Sequence, residues 1–352
     1  MESNLKPNPN PKNEKTFSCP VCGRSHKTFN NLVAHMSTRH GSVEFIVRKN
    51  PDRVELLKGG SSPISNFLNA QPQSQVISQP KPQTIHYEDW SGALETLKKA
   101  YNAGLFVLII GPKGTGKTTL VRRFAEMVGK KLYTVNFSLR TKESHLIGMQ
   151  VLENGNTKFA SGVVAESMKE GAILYLDELN TAEPDVLLRL DEALDDRREL
   201  NIKEAGEPVV IKAKPGWFVI ATINPLSHAG TKELPPQLLS RFPVRLYLDY
   251  PPNDVELKIV RLHVGELSTE ETKWVNLAIA LANKLRELAR VEELYYGPSL
   301  RETIAFAKLI KAGVEPRTAA EMVFANAYWQ WGQVAYSKVM NLVVSLFGEK
   351  SK

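Results

Sequence analysis

Cysteine is scarce in this sequence of 352 residues, which contains only Cys19 and Cys22. Two cysteines cannot build the framework of disulfides that stabilises small secreted proteins, so that class is excluded. A cysteine pair separated by two residues in a chain of this size instead indicates a metal site or a redox site.

Long hydrophobic runs are also missing. No stretch approaches the roughly 18 consecutive apolar residues that a membrane span needs. Residues 1–16 are rich in Asn, Pro and Lys and do not resemble a signal peptide. We therefore expect a disordered lead at 1–16, a cytoplasmic protein and no membrane partner. The content of 42% hydrophobic and 24% charged residues is ordinary for a globular protein.

The positive charge is unevenly distributed. The chain has a net charge of +7, and residues 1–60 contain ten Lys or Arg against five Asp or Glu. A basic front end can favour polyanions such as nucleic acid, but it can equally be a solvated tail. Residues 59–84 are dense in Gly, Ser, Gln and Pro, a composition that cannot bury a core. We therefore predict an extension and flexible linker over 42–84.

Five short apolar runs predict a sheet in the region that follows. They cover residues 105–110, 132–137, 172–177, 218–223 and 244–249. Near-continuous Val, Ile and Leu runs between helical segments indicate parallel strands covered on both faces. Beyond them the pattern is almost entirely helical. We predict an α/β core over 85–252 and a helical lid over 253–348.

A nucleotide-binding loop follows the first of these runs. Gly111–Thr118 fits G-x-x-x-x-G-K-[ST] between a predicted strand and a predicted helix, which is the context that this motif requires. Backbone N–H groups would wrap the phosphates, Lys117 would neutralise them, and the hydroxyl of Thr118 would hold Mg²⁺. The residues expected to bind the nucleotide and its metal are Gly111, Pro112, Lys113, Gly114, Thr115, Gly116, Lys117, Thr118, Thr119 and Asp177.

Two carboxylates end the third run. Asp177 and Glu178 would emerge at the carboxyl edge of the sheet, where ligands bind in such folds. Asp177 can hold Mg²⁺, and Glu178 can take a proton from the attacking water. The alternative is an acidic strand end that caps the next helix.

Three further polar residues are candidates for catalysis. Asn224 follows the fourth run and could orient the water or sense the γ-phosphate, or it could form a turn before Pro225. Arg241 comes directly after a short amphipathic turn, and Arg301 lies at the start of a helical pattern. From spacing alone, each arginine is as well explained by an exposed surface position.

Residues 87–348 resemble the AAA+ ATPases, within them the MoxR/dynein-related branch that includes the NorQ and CbbQ activators. The ordered motifs that carry the resemblance are Gly111–Thr118 (Walker A), "LYLDEL" (Walker B), "ATINP" (sensor 1), "LLSRF" (arginine finger) and "GPSLR" (sensor 2). Residues 145–171 and 198–218 resemble the helix-2 insert and the pre-sensor-1 hairpin of that branch. Asn154-Gly155 is a hairpin turn signal in its own right.

The resemblance implies an ATP-hydrolysing ring, usually a hexamer. In such a ring Arg241 acts on the ATP of the neighbouring subunit, and Arg301 senses nucleotide within its own subunit. Hairpins near Asn154 and Gly206 would act on a protein client, and branch members often work with a partner that carries a von Willebrand factor A domain. The runner-up is a DNA-directed motor or replication initiator.

The front end matches a two-Cys, two-His zinc site. Cys19, Cys22, His35 and His40 have the required spacing, and closed tetrahedral coordination would make Zn²⁺ structural. We predict a small ββα zinc finger over 17–41; a redox cysteine pair is the alternative. His26 stands where the zinc finger pattern has an aromatic residue, and we interpret it as a packing substitute.

The residues of this finger do not decide its ligand. The base-reading positions fall on Thr28, Asn31 and Ala34, none of which is an arginine. Arg24, with other basic residues of the finger, could contact phosphate. One finger covers about 3 base pairs, too few for a specific site. Nucleic acid and a docking protein both stay open as its partner.

Overall fold

The computed structural model describes residues 17–18, 24–26, 35, 85–153, 156–202, 209–225 and 231–348. The chain divides into two units, Met1–Gln71 and Pro72–Lys352. In the described part of the first unit, β1 (Phe17–Ser18) pairs antiparallel with β2 (Ser25–His26). His35 is helical.

The centre of the second unit is a parallel sheet of five strands. The strands are β3 (Val107–Ile110), β4 (Leu132–Asn136), β7 (Ile173–Asp177), β10 (Phe218–Ile223) and β11 (Val244–Tyr247). Their order across the sheet is β11-β3-β10-β7-β4, and every pair is parallel. The predicted parallel α/β core is therefore confirmed, and the carboxyl ends of all five strands meet at one edge.

Burial follows position in the sheet. β7 and β10 are central strands and bury nearly every residue, because helices cover both of their faces. The fifth run was expected to be a buried strand, which is wrong: Val244 and Leu246 of β11 are half-buried, and Arg245 and Tyr247 are exposed. This strand lies at the edge of the sheet, and Tyr247 is 63% exposed.

Helices between the strands complete the core. They are α1 (Ala93–Ala103), α2 (Lys117–Met127), α3 (Glu143–Leu146), α4 (Val163–Glu170), α5 (Pro184–Leu194) and α6 (Pro236–Ser240). A short 3-10 turn, Leu179–Thr181, lies between β7 and α5. The apolar faces of α1 and α2 meet the sheet through contacts such as those of Tyr101 and Phe124 with Phe218.

Two antiparallel hairpins project from this core. β5 (Gly148–Glu153) pairs with β6 (Asn156–Ser161), as the turn signal at Asn154-Gly155 predicts. β8 (Glu199–Ile202) pairs with β9 (Val209–Lys212). The expected tips, Asn154-Gly155 and Gly206, lie outside the described residues.

A helical region with its own apolar core follows the sheet. Its helices are α7 (Asn253–Val264), α8 (Thr269–Arg290), α9 (Leu300–Lys311), α10 (Pro316–Ala320) and α11 (Gln333–Phe347). A π turn and a 3-10 turn link α10 to α11. Capping boxes at Ser268 and Ser299 fix where α8 and α9 begin, because each side chain satisfies an unpaired helix N–H group. In the described part of the chain, no helix is long and apolar enough to cross a membrane.

Candidate active site

The glycine-rich loop joins β3 to α2 and is shaped by its glycines. Gly114 has a φ of 71°, and a Cβ atom there would lie 2.4 Å from the Cβ of Ser299 in the helical region. Gly116, with a φ of 91°, is the N-cap of α2. Both conformations are left-handed and favour glycine. The loop therefore brings the first N–H groups of α2 to the carboxyl edge of the sheet, where an anion can bind.

Lys117 is held inside this loop. Lys117 is 7% exposed. Its Nζ donates to the carbonyls of Gly111 and Pro112, both at 2.7 Å, and to Oδ1 of Asn224 at 3.1 Å. Burial lowers the pKa of Lys117 to about 8, and the nearby charges of Asp177 and Glu178 offset only part of this effect. A phosphate beside the ammonium would supply the missing counter-charge.

Asp177 and Thr118 lie side by side at the end of β7 and the start of α2. Oγ1 of Thr118 is 3.4 Å from Oδ2 of Asp177. The other carboxylate oxygen, Oδ1, accepts hydrogen bonds from the hydroxyls of Tyr175 at 2.7 Å and Thr222 at 2.6 Å. The two predicted magnesium ligands are thus brought together.

Glu178 adopts an uncommon backbone conformation. Its φ of 55° is left-handed, which costs about 1 kcal/mol for a residue other than glycine. Its N–H donates to Oγ1 of Thr222 at 3.1 Å, and its Oε1 accepts from Nδ2 of Asn224 at 3.3 Å. Oε1 also lies 3.9 Å from Nζ of Lys113. With 35% of its side chain exposed, the carboxylate can reach a water molecule in the cavity.

Asn224 connects the nucleotide loop with Glu178. It is 2% exposed, and its side chain bonds to Lys117 on one side and to Glu178 on the other. Its backbone is fixed by Asn180, whose Nδ2 donates to the Asn224 carbonyl at 2.9 Å and whose Oδ1 accepts from its N–H at 3.3 Å. This arrangement places a fixed amide between the binding loop and the candidate base.

The two candidate arginines occupy different places. Arg301, in the first turn of α9, lines the same cavity as Lys117 and Glu178. Arg241, directly after α6, does not belong to the described lining. Its Nε is 2.9 Å from Oδ1 of Asp191, and its Nη1 is 3.0 Å from Oδ1 of Asp195. Of all the predicted catalytic residues, Arg241 is the one that the structure does not bring to the cavity of its own chain.

The cavity has a volume of about 300 Å³ and lies between the nucleotide loop and the helical region. Besides the predicted residues, its lining includes apolar or aromatic side chains from α7, α9 and the segment before α1, among them Tyr87, Trp90, Ile259, Leu262 and Ile304. Tyr250 connects the same two parts, because its hydroxyl donates to the Lys113 carbonyl at 3.0 Å. Its ring lies 4.0 Å from the guanidinium of Arg286, which forms a buried ion pair with Glu256.

The donors present fit a nucleotide with its magnesium ion. Asp177 and Thr118 offer oxygen atoms, which Mg²⁺ prefers, and Mg²⁺ usually takes few protein ligands beside the substrate phosphates. Among the described residues there is no cluster of three or more His, Cys, Asp or Glu side chains suited to a metal. The loop and Lys117 are suited to the phosphates of ATP, and Thr118 and Asp177 are suited to its Mg²⁺.

Sequence reasoning missed Tyr175, Thr222 and Asn180. Each is a fully or nearly fully buried polar side chain. Tyr175 and Thr222 could have been found because each places a hydroxyl in an otherwise apolar run. Tyr175 lies two residues before Asp177, and Thr222 lies two residues before Asn224.

The predicted zinc ligands Cys19, Cys22 and His40 lie outside the described residues, as do Thr28, Asn31 and Ala34. His35 is described, and its ring centroid lies 4.6 Å from that of His26. The interpretation of His26 as a packing substitute stays a prediction.

Comparison with known proteins places this geometry in a family. The family described as AAA domain (dynein-related subfamily) matches residues 106–242, and the family described as CbbQ/NirQ/NorQ C-terminal matches residues 259–330. The denitrification regulatory protein NirQ of Pseudomonas aeruginosa is 33% identical over 243 residues, which cover 69% of this chain and 90% of that protein. Protein NorQ of Paracoccus denitrificans is 34% identical, over 69% of this chain and 86% of that protein. NirQ of Stutzerimonas stutzeri is 32% identical, over 68% and 84%. The chain therefore belongs to the CbbQ/NirQ/NorQ family of MoxR-like AAA+ ATPases, and it hydrolyses ATP.

Proposed function

We propose that this ATPase works as a homo-oligomeric ring, a hexamer, that remodels a protein client. The observation that carries the proposal is the position of Arg241. Its own cavity contains Lys117, Glu178 and Asn224, while Arg241 is turned to Asp191 and Asp195. An arginine that completes a cavity from a neighbouring subunit couples hydrolysis to movement between subunits.

Within each subunit the residues divide the chemistry. Lys117 and the N–H groups of the loop bind the β- and γ-phosphates. Asp177 and Thr118 hold Mg²⁺, which supplies charge neutralisation at the phosphates when it is bound. Glu178 takes a proton from the attacking water, and Asn224 orients that water and senses the γ-phosphate. Arg301 reports the nucleotide to the helical region.

The hairpins favour a protein client over DNA. Leu152 on β5 is 78% exposed, and Val210 on β9 is 58% exposed. Exposed apolar side chains suit contacts with a polypeptide. Lys212 of β9 is an exposed cation that could meet a DNA phosphate, but it is paired with Glu199 at 3.1 Å. We propose that the two hairpins are the elements that act on the client.

We propose that the front end is a zinc finger that docks the ring on its target. Cys19, Cys22, His35 and His40 would hold the Zn²⁺, and metal binding would supply most of the folding free energy of so small a module. A partner with a von Willebrand factor A domain is part of this proposal.

A subunit-mixing experiment tests the ring. Neither Arg241→Ala nor Lys117→Ala alone should turn over ATP, because one lacks the arginine and the other lacks the loop lysine. Mixed, they should recover part of the wild-type rate, since an intact Arg241 from the lysine variant then faces an intact cavity of the arginine variant. Absence of any recovery in mixtures that form rings contradicts an arginine acting between subunits.

A second experiment separates the client classes. Glu178→Gln with ATP should trap the client, so a pulldown scored for protein and for nucleic acid identifies it. We expect protein, and an ATPase rate that does not respond to DNA. Stimulation by DNA that falls steeply with salt would instead favour the DNA-directed motor.

Cys22→Ser should leave ATP turnover intact, because the finger is a docking module in this proposal.

A further inference from the structure

Tyr175 places a hydroxyl group within the otherwise aliphatic strand β7. The residue has no exposed surface, and its hydroxyl donates to Oδ1 of Asp177 at 2.7 Å and lies 3.2 Å from Oγ1 of Thr118. A phenol carries its proton at neutral pH, so the hydroxyl can donate to the carboxylate. Phenylalanine would fill the same volume, so packing does not explain the hydroxyl.

The hydroxyl groups that donate to Asp177 decide which of its two carboxylate oxygens can bind a cation. Tyr175 and Thr222 each have one hydroxyl proton, and both donate to Oδ1, at 2.7 and 2.6 Å. Thr222 meanwhile accepts the N–H of Glu178. Two donors thus occupy Oδ1, and Oδ2 is the oxygen that faces Thr118, at 3.4 Å.

We propose that Tyr175 is a positioning residue for the magnesium site. By bonding Oδ1 of Asp177 and contacting Thr118, it fixes the two metal ligands relative to each other and directs Oδ2 toward the cation or its bound water. This inference rests on the proposed function, in which Asp177 and Thr118 hold the magnesium of MgATP. Outer partners of this kind typically change metal affinity by about 10- to 100-fold.

Tyr175→Phe tests the proposal because it removes one hydroxyl and keeps the ring. The matched control is Tyr133→Phe on the adjacent strand β4, where a tyrosine that is 4% exposed bonds to Nζ of Lys131 at 2.7 Å, away from the cavity. Mn²⁺ prefers the same oxygen donors as Mg²⁺ and can be counted by electron paramagnetic resonance. Its dissociation constant is measured on the full chain with bound ADP.

Tyr175→Phe should weaken Mn²⁺ binding about tenfold, and the Mg²⁺ concentration for half-maximal hydrolysis should rise in parallel. Tyr133→Phe should bind Mn²⁺ like the wild type. ADP affinity in EDTA and the melting temperature of Tyr175→Phe should match those of Tyr133→Phe, because the proposed role needs the metal.

Three results would overturn the proposal. If Asp177→Asn weakens Mn²⁺ binding but Tyr175→Phe does not, the metal site stands and the role of Tyr175 is wrong. If Asp177→Asn also leaves Mn²⁺ binding unchanged, the proposed site itself is wrong and the inference falls with it. If Tyr175→Phe loses ADP affinity in EDTA as well, the hydroxyl has a structural role and not a positioning role at the metal.

Discussion

Lys117 and Arg241 are both cations expected to meet the phosphates of ATP, yet their hydrogen-bond partners differ in charge. The ammonium of Lys117 is buried, and its hydrogen bonds in the described structure go to neutral oxygens. Arg241 has 28% of its side chain exposed and already faces two carboxylates, those of Asp191 and Asp195.

The difference indicates when each charge becomes useful. A phosphate beside Lys117 relieves a charge that burial has made costly, which is why its pKa is lowered to about 8. A phosphate beside Arg241 only replaces carboxylate partners that the arginine already has, so the binding free energy gained from this contact is small. Lys117 therefore suits binding, and Arg241 suits a step that follows binding.

The largest expected effects test this contrast directly. Lys117→Ala should lose both nucleotide affinity and turnover, because it removes the buried cation of the loop from beside the phosphates. Arg241→Ala should keep its affinity within about twofold and lose turnover by about 10³-fold, as for arginines supplied across an interface. Calorimetric ADP binding and steady-state hydrolysis measure the two effects.

The control for the second variant is Arg245→Ala. Arg245 lies on the edge strand β11, where its Nη2 donates to the Leu239 carbonyl at 3.1 Å, and its loss should leave both quantities unchanged. Equal losses of affinity in Arg241→Ala and Lys117→Ala would erase the distinction between the two regions.

Substitution of Glu178, which lines the cavity, should have a smaller effect than substitution of Lys117 or Arg241. Glu178→Gln should keep MgATP affinity and lower turnover by about 10²- to 10³-fold, since a neutral amide cannot take the proton of the attacking water. Glu183→Gln is the matched control, because Glu183 is an exposed partner of Lys232, 2.8 Å away. A Glu178→Gln enzyme that turns over at the wild-type rate would show that another group is the base.

The sequence predicted the parallel sheet and the residues at its carboxyl edge for a physical reason. Buried parallel strands read as apolar runs, and polar residues that follow such runs must meet at one edge. Asp177, Glu178 and Asn224 are close together on these grounds, and the loop at Lys117 has a motif of its own.

The partners of these residues depend on which strands are neighbours. Thr222 reaches Asp177 because Ala221 on β10 pairs with Leu176 on β7, a register that no local pattern encodes. The carboxylates that hold Arg241 come from the end of α5, some 50 residues earlier in the chain. Contacts of this length depend on the packing of whole elements, so the motifs predicted the candidate catalytic residues but not the side chains that contact them.

The smallest expected effect concerns the carboxylates around Arg241. If Arg241 must leave Asp191 to reach the phosphate of a neighbour, Asp191→Asn should raise turnover, because one competing partner is lost. An ion pair near the protein surface is typically worth about 1 kcal/mol, so the rise should be about fivefold. Asp185→Asn is the control and should change nothing, because Asp185 is an exposed aspartate in the first turn of the same helix.

Turnover is measured at saturating MgATP and with subunits in excess of the ring dissociation constant, so that only the catalytic step responds. A fall in turnover would mean that Asp191 orients the guanidinium for its task, and the resting pair would then be part of the active arrangement and not a competitor of it.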